Sequence, residues 1–102
     1  MDRVTETKKA IEFFKECSDM LEKKAHDYAQ DNDCFSNFKK IAMLADTSVP
    51  KVLLMFLAVK LARLAELIAK GKSEVGESMQ DTLSDMSNYS CILSLYLDEE
   101  AK

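Results

Sequence analysis

PKVLLMFLAVKLARLAELIAKG, residues 50–71, is the stretch that decides the fold. It is apolar over far more residues than a strand needs, so it reads as one long helix from about Pro50 to Lys70. Pro50 suits the first turn, where a missing N–H costs nothing, and Thr47 and Ser48 just before it offer caps. Gly71 is a natural C′ residue, because glycine takes the left-handed conformation that ends a helix. The run is long enough to span a bilayer, but Lys60, Arg63 and Glu66 interrupt it, and each would be costly in lipid. A soluble helix that is apolar nearly all round belongs at the centre of a bundle.

Working outward, GKSEVG from residue 71 makes a tight connection, and the next helix should run from about Glu77 to Asp98. So short a link folds the two helices into an antiparallel hairpin. On the other side, ADTSVP separates the central helix from a short one that Asp33 could cap, carrying Phe35, Phe38, Ile41, Ala42 and Leu44. A first long helix, from about Val4 to Tyr28, has apolar residues at Val4, Ile11, Phe14, Cys17, Leu21, Ala25 and Tyr28. Those spacings are helical and predict one face turned inward. The expected fold is therefore all-α: three long helices and one short, in a single domain over residues 1–102.

Composition agrees. The 102 residues are 47% hydrophobic and 31% charged, with only 2 Gly and 1 Pro, which favours long helices over a turn-rich β architecture. Net charge is −4 and no basic cluster stands out, so duplex nucleic acid is excluded as an expected partner. Cys17, Cys34 and Cys91 are scattered and odd in number, which suits reduced thiols in a cytoplasm. The lone His26 completes no zinc pattern. The opening MDRVTETKKAIEFFKE is charged from the start and is not a signal peptide, so neither export nor membrane association is expected.

The charges on the hairpin raise the functional question. Glu77, Asp81 and Asp85 fall four apart on one stripe, while Lys60, Arg63 and Glu66 form a polar stripe on the greasy helix. Counted outward from Ser73 at the turn, Lys60 lies near the level of Asp85 and Tyr89, Arg63 near Asp85, and Glu66 near Asp81. An unpaired buried charge is strongly destabilising, so the acidic stripe is the natural counterpart of the cations. Carboxylates at this spacing also suit Mg²⁺, with neighbouring cations placed for the phosphates a metal would bridge. Spacing does not choose between an ion-pair network and a ligand site.

Three motifs in order add a resemblance. KAHDYAQDNDCFSNF (24–38), KLARL (60–64) and VGESMQDTLSDMSNY (75–89) are similar to the K-x-x-D-Y-G, K-x-x-R-L and G-E-S-x-x-D-T-L-x-D-x-x-x-Y elements of one family. The family is the phage and bacterial nucleotide modification associated domain 1, and the likeness covers residues 20–97. It is distantly similar to MazG-like all-α nucleoside triphosphate pyrophosphatases, which bind Mg²⁺ and nucleotides between helices and assemble as dimers or tetramers. The resemblance implies ligand contacts from Lys24, Asp27, Tyr28, Lys60, Arg63 and Tyr89, and metal ligands in Glu77, Asp81 and Asp85. Asn37, between Phe35 and Phe38, is a further candidate hydrogen-bond partner. Two positions depart from the pattern: Ala29 stands where the family has glycine, and Lys60 and Arg63 stand where MazG-like enzymes carry an acidic pair.

Cations cannot ligate Mg²⁺, so the leading expectation is a metal-free binder of a small nucleotide, cyclic or signalling in kind. In a phage such a sponge would counter host defence from the host cytoplasm. A Mg²⁺-dependent pyrophosphatase-like hydrolase is the alternative, and a module that grips a host protein through its helices is the third reading. A homo-oligomer is expected in each case, because so small a bundle leaves its apolar central helix short of cover.

Overall fold

The computed structural model describes residues 1–28, 32–71 and 78–102, with the side chains of 26–28 left aside. Among these residues the chain forms four helices and no strand: α1 (Arg3–Tyr28), α2 (Ser36–Leu44), α3 (Val49–Lys70) and α4 (Met79–Glu100). Three are long and α2 is short, which is the expected architecture.

Local chemistry sets the helix ends. Asp2 starts α1, its carboxylate accepting from the Thr5 N–H at 2.7 Å. Asp33 is not the N-cap of α2 but lies two residues before it, the N-cap position being Phe35. Its Oδ1 accepts from the Phe35 N–H at 3.0 Å and its carbonyl from Ser36 at 3.1 Å, so Asp33 organises the turn that leads in. Ser48 caps α3 through the Lys51 N–H, and Pro50 lies in the first turn. At the far end Gly71 takes φ +78° and donates to the Leu67 carbonyl, as its position predicted. α4 begins two residues later than the acidic spacing suggested. Ser78 and Asp81 form a reciprocal capping box, Ser78 Oγ accepting from the Asp81 N–H at 3.0 Å. At the end of α2, Asp46 adopts φ +52°, and Thr47 donates back to the Ala42 carbonyl at 2.8 Å. That is a Schellman closure with aspartate in the left-handed seat.

α3 is the spine. It packs along α4 as an antiparallel hairpin and receives α2 on the same side, while α1 rests mainly on α4. Phe38, Ala42, Val49, Val52 and Leu53 form the buried cluster, closed by Phe56, Tyr89, Ile92, Leu93 and Tyr96. Phe38 meets Phe56 edge-on at 5.8 Å, and Phe56 meets Tyr89 at 5.4 Å. Toward the hairpin turn Leu67 and Thr82 are buried, and Thr82 Oγ1 donates to the Ser78 carbonyl.

Two sequence expectations need correction. α3 is not enclosed all round: its buried side is Val49, Val52, Leu53 and Leu67, and Leu54, Leu61 and Ile68 on the opposite side are exposed. Nor is the apolar stripe of α1 turned inward along its length. Cys17 is buried against α4, whereas Val4, Ile11 and Phe14 face outward. The reason is geometric. α4 holds α1 at Cys17 through Asn88 and at Lys24 through Asp85, both in the C-terminal half of α1, and Val4, Ile11 and Phe14 lie N-terminal to these anchors.

Candidate functional site

The site begins at Asp85, on the side of α4 that α1 and α3 both approach. Lys24 of α1 brings Nζ to 3.1 Å from Oδ1, and Lys60 of α3 brings Nζ to 2.8 Å from Oδ2. Three helices are thus tied at one carboxylate. The Asp85 side chain is 18% exposed and that of Lys60 21%, while Lys24 at 43% sits on the rim. Burial pushes the Asp85 carboxyl upward, but the hydrogen bonds from Lys60 and Lys24 outweigh it and hold the group below the usual value of 3.8. Asp85 is therefore charged at neutral pH, and the cluster carries a net positive charge from its two lysines.

One helical turn along α4, Asn88 is buried and its Nδ2 donates to the Cys17 carbonyl of α1 at 3.0 Å. This bond and the Lys24–Asp85 pair set α1 antiparallel to α4, since position rises along one helix as it falls along the other. Between α1, α2 and α4 a cavity of about 400 Å³ opens. Phe35, Phe38, Phe56 and Tyr89 supply aromatic wall, Leu21 and Ile92 add aliphatic wall, and Lys24, Asp85, Asn88 and Asn37 give polar groups at its edge. Phe35 is braced edge-on by Tyr96 at 5.3 Å. A planar ring can enter among these aromatics, with a charged tail directed at the lysines.

The sequence candidates divide. Lys24, Asn37 and Tyr89 line the cavity together with Asp85, and Lys60 joins them through that carboxylate. Arg63 is half-buried one turn further along α3 and is not part of the cavity wall. Asp27 and Tyr28 close α1 but their side chains lie outside what the structure describes, as does Glu77 altogether. Asp81 is exposed, and its carboxylate closes the α4 capping box. Glu66 pairs within its own helix with Lys70 at 3.4 Å rather than reaching the level of Asp81.

Of the acidic stripe the structure describes Asp81 and Asp85, and both carboxylates are already engaged. Both oxygens of Asp85 are held by ammonium groups and Asp81 serves the helix end. Among the described residues no three carboxylate, imidazole or thiol side chains converge as a metal would require. Sequence reasoning missed Asn88, Phe56 and Cys34 as cavity residues, and the Lys24–Asp85 pair. A signal existed for Asn88: with Thr82 and Asp85 it falls at threefold spacing, a polar stripe on the buried side of an amphipathic helix.

No described helix is long and apolar enough to cross a membrane. Comparison with curated proteins and with solved structures finds no match to the chain. The sequence profile of a family described as nucleotide modification associated domain 1 matches residues 24–97, a span that runs from the site's Lys24 into the last turn of α4 and takes in every cavity residue except Leu21. The chain belongs to the nucleotide modification associated domain 1 family.

Proposed function

We propose that this protein binds a small nucleotide in the cavity between α1, α2 and α4, without metal and without hydrolysing it. The observation that carries the reading is the union of an aromatic chamber with a lysine–carboxylate–lysine cluster at its edge. Phe35 and Tyr89 line the cavity and would stack on a base, with the Asn37 amide and the Asn88 Oδ1 serving its polar edge. Lys24, half in solvent, is free to turn from Asp85 toward a phosphate, while Lys60 stays with the carboxylate. A cyclic or signalling nucleotide matches such a site, since recognition needs stacking and charge but no bond cleavage. The phage anti-defence role follows only if the ligand is a messenger of host immunity. Hydrolysis on the pattern of MazG-like enzymes is the weaker reading, because Asp81 and Asp85, two of the three acidic groups that would carry the metal, are engaged elsewhere. The exposed apolar surface favours a homo-oligomer as the working form.

The test is a thermal-shift series with linear and cyclic nucleotides, in EDTA and in Mg²⁺, on the wild type and on Phe35→Ala and Lys24→Ala. A ligand at a hundred times its Kd adds about 2.7 kcal/mol to folded-state stability, which raises the melting temperature visibly in a domain of this size. The reading predicts a shift that survives EDTA and shrinks in both variants. A stacked base contributes about 1–3 kcal/mol, so Phe35→Ala should weaken binding by roughly tenfold or more. A shift that appears only with Mg²⁺ would restore the hydrolase.

A further inference from the structure

The outer face of α3 carries a second, independent message. Leu54, Ala58, Leu61, Ala65 and Ile68 follow each other at spacings of four, three, four and three, the heptad alternation of a helix–helix seam. All five are exposed: Leu54 is 61%, Leu61 57% and Ile68 65% open to solvent. Ala62 and Ala69 widen the seam on one side, and Met55 and Val59 flank it, also exposed. Nothing among the described residues covers this face, since α2 and α4 pack on the opposite side of α3.

We infer that this face is the dimerisation surface of the protein, pairing with α3 of a second copy in antiparallel orientation about a two-fold axis. This deepens the homo-oligomer reading given above and rests on it, but not on the nucleotide. Two observations select the occupant and its direction.

The first is shape. Set antiparallel with Leu54 opposite Ala65 of the second copy, the seam also places Leu61 opposite Ala58, so both leucines meet an alanine, while Ile68 falls opposite the aliphatic stem of Lys51. The two-fold axis repeats every such contact, as a self-complementary interface requires. Alternating large and small residues across a seam lets two helices interdigitate closely.

The second is charge. Lys51 sits at the N-terminal end of the seam and Glu66 borders its C-terminal half. In a parallel pair Lys51 would face its own copy, like against like. In the antiparallel register Lys51 falls within two residues of the level of Glu66, a rise of about 3 Å, twice over by symmetry. Among the described residues Glu66 is held by an exposed pair with Lys70 on its own helix, which it can exchange. The area is adequate: five large side chains at about 100 Å² each, with the alanines between them, approach the ~800 Å² per partner of a stable interface.

The experiment is light scattering coupled to size exclusion, without nucleotide, so its outcome is independent of whether the cavity binds one. The wild type should elute at twice the 11.5 kDa chain mass. Leu61→Glu should return a monomer that keeps its helical circular dichroism, because Leu61 has no place in the core. Lys51→Glu alone should shift the equilibrium toward monomer by setting like charges against Glu66, and K51E/E66K should restore the dimer. A wild-type monomer, or an oligomer whose mass Leu61→Glu leaves unchanged, would overturn the proposal. An assembly indifferent to K51E and to K51E/E66K would overturn the antiparallel direction.

Discussion

Asp85 accepts from ammonium groups on two different helices, so its removal is felt in α1, α3 and α4 together. Asp85→Asn leaves Lys24 and Lys60 short of a charged partner in a half-buried setting. The expected cost is about 1–3 kcal/mol, read as a lower midpoint in urea unfolding. The pH dependence follows from the sign of the shift. A carboxyl whose folded value lies below its unfolded value near 3.8 contributes its full stability above that pH and loses it as pH falls through the lower, folded value. The wild type should therefore lose stability on acidification below about pH 4 more steeply than Asp85→Asn does. Asn88→Ala removes the bond to the Cys17 carbonyl, which keeps its bonding within α1, for about 0.5–1.5 kcal/mol of melting stability. The Lys60–Asp85 pair was legible in the sequence, because counting outward from a short turn fixes the level of residues on both arms of a hairpin. The Lys24–Asp85 and Asn88–Cys17 contacts were not. They join positions 61 and 71 residues apart, and no local pattern states how α1 lies on α4.

At the scale of the element, caps and punctuation carried the reading. Gly71, Ser48 and Pro50 announced the limits of α3 because each answers a specific backbone need. The start of α4 was placed too early because the acidic stripe suggested a continuous face from Glu77, whereas Asp81 is recruited to the helix end by Ser78. The two left-handed positions give opposed predictions. Gly71→Ala puts a Cβ at φ +78°; the surrounding space is open, so the cost is conformational, about 1 kcal/mol. Asp46→Gly relieves the same strain at φ +52° and should raise the melting temperature by the equivalent of up to about 1 kcal/mol. A matched pair of thermal melts checks both directions.

At the scale of the molecule, the hydrophobic pattern named the helices correctly but overstated how much of each is buried. An apolar residue in a helix registers as core whether its neighbour belongs to the same chain or to another. The outward faces of α3 and of the first half of α1 are where that ambiguity shows, and composition alone could not separate them. The cavity was only partly legible for a related reason. Lys24, Asn37 and Tyr89 carried visible signals, whereas the aromatic wall is assembled from α2, α3 and α4 at once. Because the cavity uses the inner side of α3 and the proposed seam its outer side, the proposed ligand binding and assembly would be separable by mutation of one helix. The central claim is that this cavity takes a nucleotide without metal and without cleavage. The most direct measurement is equilibrium binding of linear and cyclic nucleotides to the wild type in EDTA by calorimetry, followed by denaturation and chemical identification of what is released. The account predicts saturable binding and recovery of the nucleotide intact. Absence of heat with every nucleotide in EDTA, or recovery of a cleaved product, would contradict it.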